Sequence, residues 1–294
     1  MTTEKIDPKV LNLYDEYCHG FIDRREFMNR ATVMTVGGVS ALAMATSLLP
    51  RYAEAQTISF TDERIKANYV TYPSPGGTSG EMRGYLVQPT SGSGPFKPVL
   101  VIHENRGLNP HIEDIARRFA AAGFLALAPD GLAPVGGYPG NDDDGRSLQS
   151  SLDRNALLQD LVNSAEYLDS HELASDKLGV TGFCFGGYAT NYIAAQLGDK
   201  VQAAVPFYGS GVSAEEAANI KAALLVQSAE NDQRINAAWP EYEAALQAAG
   251  VNYERHVYPG TAHGFHNNST ARFDEAQSEI AWDRMVAFFN EHLD

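Results

Sequence analysis

Apolar and polar positions along the chain follow two different rhythms. In "NYVTYPS" and "MRGYLVQP" they alternate, with Pro and Gly between the two runs, which predicts an antiparallel strand pair at a sheet edge. Further on, "PVLVIHE", "FLALAPD", "LGVTGF", "VQAAVPFYG" and "AALLVQSAE" are short and almost continuously apolar. Such runs belong to parallel strands covered on both faces. Helix-period segments at 112–122, 154–168, 186–196 and 237–249 separate them. Repeated strand, helix, strand predicts one α/β domain from residue 56 onward: a mostly parallel sheet with helices on both faces and an antiparallel N-terminal edge. A last strand near "YERHVYPG" and a closing helix over 273–292 complete it. The Gly-, Pro- and Asp-rich stretch "GLAPVGGYPGNDDDGRS", 131–147, reads as a long loop beyond a strand end, a length that is often functional. Neither internal repeats nor low-complexity tracts interrupt this pattern.

Residues 1–55 do not fit the alternation. Arg24 and Arg25 precede Phe27, an uncharged stretch runs from Ala31 to Leu49, and Ala53-Glu54-Ala55 is a small-x-small cleavage pattern. The segment resembles a twin-arginine export signal. Gly37, Gly38, Ser40 and several Thr and Ala keep the stretch only moderately apolar, which suits a removable signal better than a permanent anchor. An uncleaved anchor and a buried N-terminal helix are the alternatives. The export reading implies a periplasmic mature protein, the twin-arginine machinery as partner of the precursor, and no stable membrane association after cleavage. Cleavage after Ala55 would also remove Cys18 and leave Cys184 as the one thiol.

The 294 residues are 44% hydrophobic and 10% aromatic, enough for a large core. A formal charge of −15, spread along the chain, argues against nucleic acid as a partner and favours a small-molecule substrate. Two cysteines, neither in a C-x-x-C pair, exclude a disulfide framework and a cysteine metal site.

Candidate chemistry begins at "GFCFGG", residues 182–187. Strand, G-x-C-x-G, then helix is the context of a nucleophile elbow, and it places Cys184 at a helix N-terminus, where thiolate is favoured. A packed cysteine in a strand-to-helix turn is the plainer alternative. Elbow nucleophiles are followed along the chain by an acid and then a histidine. Asp232, just past a buried strand in "LLVQSAENDQRI", is the candidate acid, with Glu230 competing. His263, in the glycine-flanked loop "YPGTAHGFHN", is the candidate base. His266 stands three residues on, but no third ligand is spaced for a metal. His103, His111, His171, His256 and His292 are expected in solvent or in structural hydrogen bonds.

With Cys184, Asp232 and His263 in place, the chain from about 69 to 293 resembles the dienelactone hydrolase family of α/β hydrolases, through "VIHENRGLN", "LAPDGL", "GFCFGG", "AENDQRI" and "YPGTAHGFHN". The resemblance implies the α/β-hydrolase fold and hydrolysis of an ester or lactone through a Cys-His-Asp triad, without a metal or organic cofactor. It implies that Glu104 pairs with the resting cysteine, and that the main-chain amides of Asn105 and Phe185 form the oxyanion hole. Salt-bridging of Glu104, with Arg106 as a candidate partner, is the structural alternative. The family holds a substrate carboxylate with arginines, one of them four residues after the histidine. Asn267 stands there instead, which leaves Arg106 as the candidate substrate-binding cation and Arg272 as a second. A non-catalytic small-molecule-binding protein on the same fold is the alternative function. A thiol-redox role lacks a resolving cysteine.

Overall fold

The five apolar runs become the parallel centre of one eight-stranded sheet. The structure is a computed structural model that describes residues 8–18, 22–36, 39–40, 51–52 and 55–294. Two short helices come first, α1 (Pro8–Cys18) and α2 (Arg24–Val33), then a two-residue hairpin pairing Thr35–Val36 with Val39–Ser40. The domain itself runs β1 (Ile65–Ser74), β2 (Gly80–Pro89), β3 (Pro98–Ile102), α3 (Pro110–Ala121), β4 (Leu125–Pro129), α4 (Asp142–Ser151), α5 (Arg154–Asp169), β5 (Leu178–Phe183), α6 (Phe185–Leu197), β6 (Val201–Phe207), α7 (Ala214–Ala217), β7 (Ala223–Ala229), α8 (Gln233–Ala249), β8 (Tyr253–Tyr258) and α9 (Glu275–Leu293).

Across the sheet the strand order is β8-β7-β6-β5-β3-β4-β2-β1. Only β2 is reversed: it pairs antiparallel with β1 on one side and β4 on the other, and every other neighbour is parallel. The antiparallel edge and the mostly parallel centre are as the sequence pattern predicts. Successive side chains of a strand point to opposite faces, and β3 shows why its run had to be wholly apolar. Val99 and Val101 pack on one face with Ile112, Ile115 and Phe119 of α3 and with Met285 and Phe289 of α9. Leu100 and Ile102 pack on the other with Leu158 and Leu161 of α5, Ile193 of α6 and Leu246 of α8. Each such fully buried side chain contributes roughly 1.5–3 kcal/mol.

The 131–147 stretch is shorter as a loop than the sequence suggested. A 3-10 turn forms at Ala133–Val135 and α4 starts at Asp142. Asn141 caps α4 by accepting from the Asp144 amide at 2.9 Å, and Asp142, Asp143 and Asp144 place negative charge in the first turn, where the helix dipole favours it. The acidic run that looked like loop composition is a helix start. No helix among the described residues is long and apolar enough to cross a membrane.

Parallel strands leave all their carboxyl ends on one side of the sheet, and at β3 and β5 those ends meet the start of α6 with no space between. A Cβ on Gly186 would lie 2.4 Å from the Ile102 carbonyl oxygen, and one on Gly182 would lie 2.3 Å from that of Gly186. Gly186→Ala should therefore destabilise the domain by about 3 kcal/mol. Urea unfolding monitored by circular dichroism measures this; a loss below about 0.5 kcal/mol would mean that α6 does not approach β3 so closely.

Candidate active site

Four strand ends deliver the residues singled out in the sequence. Glu104 and Asn105 follow β3, Cys184 follows β5, Asp232 follows β7 and His263 follows β8. Cys184 sits at the elbow with φ 56° and ψ −110°, a left-handed region that costs an L-residue about 1–3 kcal/mol. Its amide donates to the Phe207 carbonyl at 3.1 Å and its carbonyl accepts from Tyr188 of α6 at 3.2 Å, so both flanks hold the turn. Cys184 is half-buried and forms no disulfide among the described residues.

His263 and Asp232 are buried, with side chains 4% and 2% exposed, and His263 Nδ1 lies 2.6 Å from Asp232 Oδ2. The other oxygen, Oδ1, accepts from the Ile235 amide at 3.3 Å and caps α8, so one carboxylate both starts a helix and orients the imidazole. Burial alone would push His263 down. The Asp232 charge and hydrogen bond, with the charge and hydrogen bond of Cys184, outweigh it and hold His263 well above the ordinary histidine value. Glu230, the competing acid, is exposed; it accepts from the Gly260 amide at 2.7 Å and fastens the loop that carries His263.

On the β3 side, Glu104 is buried and accepts from Asn267 Nδ2 at 3.2 Å. Asn267 Oδ1 in turn accepts from the amide and hydroxyl of Ser269, at 3.0 and 2.6 Å, which fixes the amide nitrogen toward the carboxylate. Asn105 and Phe185 line a common cleft of about 520 Å³, together with Arg146, Arg154 and, from the N-terminal segment, Ile22 and Asp23. The Phe185 amide is the first of α6 and has no acceptor within its own helix.

A family model described as the dienelactone hydrolase family matches residues 82–293. The chain belongs to the dienelactone hydrolase family. A second model, described as YqhI-like, matches residues 1–37. A candidate hydrolase fragment of Escherichia coli K12, YghX, is 61% identical over 115 residues, covering 39% of this chain and 97% of that protein. A candidate carboxymethylenebutenolidase of Yersinia pestis is 30% identical over 251 residues, covering 81% and 92%. The crystal structure of a candidate dienelactone hydrolase of Klebsiella pneumoniae is similar at a TM-score of 0.67 and 29% identity, covering 77% of this chain and 99% of that one. Family and fold together make the chain a hydrolase.

Two features of this dienelactone hydrolase family member were not visible along the chain. Asn267, in the place of an arginine, binds Glu104 across 163 residues of sequence. Tyr208, buried and at φ 37°, lays its ring against His263 with centroids 4.9 Å apart. Only a strand-end "FYG" marks it in the sequence. The histidines set aside in the sequence are mostly accounted for by hydrogen bonds: His103 Nδ1 lies 2.5 Å from the Glu104 carbonyl and its Nε2 accepts from Gly131, and His111 Nδ1 meets Asn268 Oδ1 at 3.1 Å. His266 is enclosed by Phe183, Phe207 and Trp282, and burial, reinforced by Arg118 and His111, pushes it well down, so it is neutral core. Among the described residues no group of three or more His, Cys, Asp and Glu is placed to hold a metal ion.

The N-terminal segment leans on the rim of the site. The Tyr17 hydroxyl and Arg24 both bind Asp143, Arg146 lies 4.1 Å above the Tyr17 ring, and Arg272 lies 4.5 Å above that of Tyr14. Arg106 donates from Nη1 to Asp142 at 2.6 Å in a pair only 4% and 8% exposed, and Asp142 Oδ1 also accepts from Tyr52 and Tyr138. The carboxylate that engages Arg106 is thus Asp142, while Glu104 is bound by the Asn267 amide. Arg106→Ala would strand a buried charge, and we expect a loss of about 3 kcal/mol in unfolding free energy. Thermal and urea denaturation measure it; a loss under about 1 kcal/mol, the scale of a surface pair, would mean that Asp142 does not depend on Arg106.

Proposed function

We propose that this hydrolase cleaves carboxylic esters or lactones by acyl transfer to Cys184, with His263 as base and Asp232 as the group that orients it. The supporting observation is the buried His263, bound through Nδ1 to Asp232 and raised in basicity, against its burial, first by Asp232 and then by the Cys184 beside it. An adjacent imidazolium and the N-terminus of α6 both favour thiolate. The thiolate attacks the acyl carbon, forming a C–S bond, and the carbonyl oxygen takes the negative charge. The amides of Asn105 and Phe185 hold that oxyanion, at a gain of about 3 kcal/mol for each well-placed donor. As the C–O bond breaks, the imidazolium protonates the leaving oxygen. Neutral His263 then takes a proton from water, the hydroxide displaces sulfur, and acid, thiolate and imidazolium are restored. Asp232 stays ionised and fixes the tautomer throughout. Glu104, held by Asn267, is assigned as the partner of the resting cysteine. Arg106 is the cation assigned to a substrate carboxylate, in competition with Asp142. None of these steps requires a metal or an organic cofactor.

Because folding raises His263, the stability drawn from its pairing is fully present below the ordinary value of about 6.5 and is lost as pH rises through the higher native value. The same pairing keeps the sulfur reactive in mild acid. In a Cys18→Ser background, iodoacetamide should label Cys184 and abolish ester hydrolysis in parallel, with labelling still rapid at about pH 6. Asp232→Asn should slow that labelling about tenfold for each unit by which His263 falls. Full labelling with hydrolysis intact would sink the nucleophile assignment.

We further propose twin-arginine export to the periplasm with removal of residues 1–55. The uncharged stretch and the cleavage pattern fall largely outside the described residues, so the case rests on Arg24, Arg25 and the sequence around them. Removal would take away the Tyr52 bond to Asp142, the Tyr14 cover on Arg272 and the cleft wall of Ile22 and Asp23. Replacing both arginines with lysine should leave precursor in the cytoplasm, because the receptor reads the pair rather than the charge. Cell fractionation decides it, and undiminished periplasmic accumulation would refute the signal.

A further inference from the structure

Tyr208 follows β6 directly, and its position is a costly one. With φ 37° it lies in the left-handed region, which a side chain with a Cβ rarely adopts; Cys184 is the one other non-glycine residue at positive φ among the described residues. The backbone there is over-determined. Its amide donates to the Gln227 carbonyl at 2.8 Å, the preceding carbonyl anchors the Cys184 amide, and a Cβ on the following Gly209 would lie 2.3 Å from the Gly187 carbonyl carbon. The ring is walled by Phe183, Phe207 and Phe265 and faces His263. Its hydroxyl is buried with no hydrogen-bond partner among the described residues. A buried hydroxyl without a partner is unfavourable unless another state of the protein supplies one. The charged groups that act on it are Glu104, Arg272, Cys184 and Arg106, which are those of the candidate site.

We infer that Tyr208 is a further catalytic residue, whose hydroxyl donates a hydrogen bond to the leaving-group oxygen of the ester. The inference rests on the proposed acyl transfer to Cys184. Sidedness selects the leaving group over the oxyanion. The oxyanion is assigned to the amides of Asn105 and Phe185, which line the cleft, whereas Tyr208 is not among the cleft's lining residues and lies against His263, which must stand next to the oxygen it protonates. Burial, reinforced by Glu104 and partly offset by Arg272, pushes the phenol well up, so it is a lasting donor. The proton that reaches the leaving oxygen comes from His263, and Tyr208 keeps its own. Hydrogen-bond donation matters more as negative charge on the departing oxygen grows, and an alkoxide carries more than a nitrophenolate.

The test is Tyr208→Phe, which keeps the ring and removes one oxygen. On an alkyl acetate, kcat/KM should fall roughly ten- to a hundredfold. On p-nitrophenyl acetate it should fall less than about threefold, because that leaving group needs little help. The melting temperature should hold or rise, since the variant relieves an unpaired buried hydroxyl. Alkylation of Cys184 by iodoacetamide should proceed at the unmodified rate, which shows the elbow and His263 undisturbed. Unchanged kcat/KM on both esters, with Cys184→Ala inactive, would overturn the role of Tyr208 and leave the ester chemistry standing. Equal losses on both esters with a lower melting temperature or slower alkylation would overturn it in favour of a structural hydroxyl. An unmodified enzyme inactive on both esters would overturn the ester reading and this assignment with it.

Discussion

The close approach of β3, β5 and the first turn of α6 is the constraint on which the rest of the site depends. Backbone touches backbone there: hypothetical Cβ atoms on Gly182 and Gly186 fall within 2.3–2.4 Å of carbonyl oxygens. That contact forces the chain to turn inside one residue, and the residue that turns is Cys184, at φ 56°. A relaxed turn would carry α6 away from β3, and with it the Phe185 amide away from Asn105. Strain at Cys184 is therefore the condition for putting thiol, helix start and the two amides in one place. The neighbouring strand takes part, since the Phe207 carbonyl that receives the Cys184 amide is followed at once by Tyr208, itself at positive φ.

Around this turn two buried aspartates are each matched with a cation. Asp232 caps α8 with one oxygen and holds His263 with the other, so the imidazole is as fixed as the helix it faces. Asp142 does the same on the opposite rim. It sits in the first turn of α4 and takes Arg106, Tyr52 and Tyr138. Helix α4 in turn steadies the segment that carries Asn105: the Gly107 amide donates to Gln149 at 3.1 Å, and a Cβ on Gly145 would lie 2.5 Å from the Arg106 carbonyl oxygen. Carboxylates at helix starts gain from the dipole as well as from their partners, so two helices and two cations are positioned by two aspartates.

What the sequence made legible follows from local physics. The run 98–102 reads as a doubly covered strand because both of its faces must be apolar, and G-x-C-x-G reads as a tight turn because no side chain fits there. Asp232 could be named because it follows an apolar strand in a short loop, and His263 because it stands in a glycine-flanked loop past the last strand. The stretch 131–147 misled because glycine, proline and aspartate favour loops, whereas Asn141 and three aspartates also make a well-capped helix start. Asn267 with Glu104, and Arg106 with Asp142, could not be paired in advance, since nothing local in either segment encodes its partner. Tyr208 gave no periodic signal at all; its meaning lies in a dihedral angle and an unpartnered oxygen.

The amide at Asn267 changes the electrostatics of the site. Where an arginine would bring a fixed positive charge four residues after His263, Asn267 brings a neutral donor, locked toward Glu104 by Ser269. Glu104 is thereby hydrogen-bonded but not neutralised, and a buried carboxylate repels an incoming anion at short range in a low-dielectric cleft. Of the other cations around the site, Arg106 is shared with Asp142, Arg272 lies under Tyr14, and Arg146 and Arg154 line the cleft. Under the proposed chemistry, an anionic substrate gains less here than it would beside a family arginine, and a neutral ester loses nothing. On that proposal, exchanging one cation for an amide in the loop that carries His263 weakens the pull on an anionic acyl group while the His263–Asp232 pair stays in place.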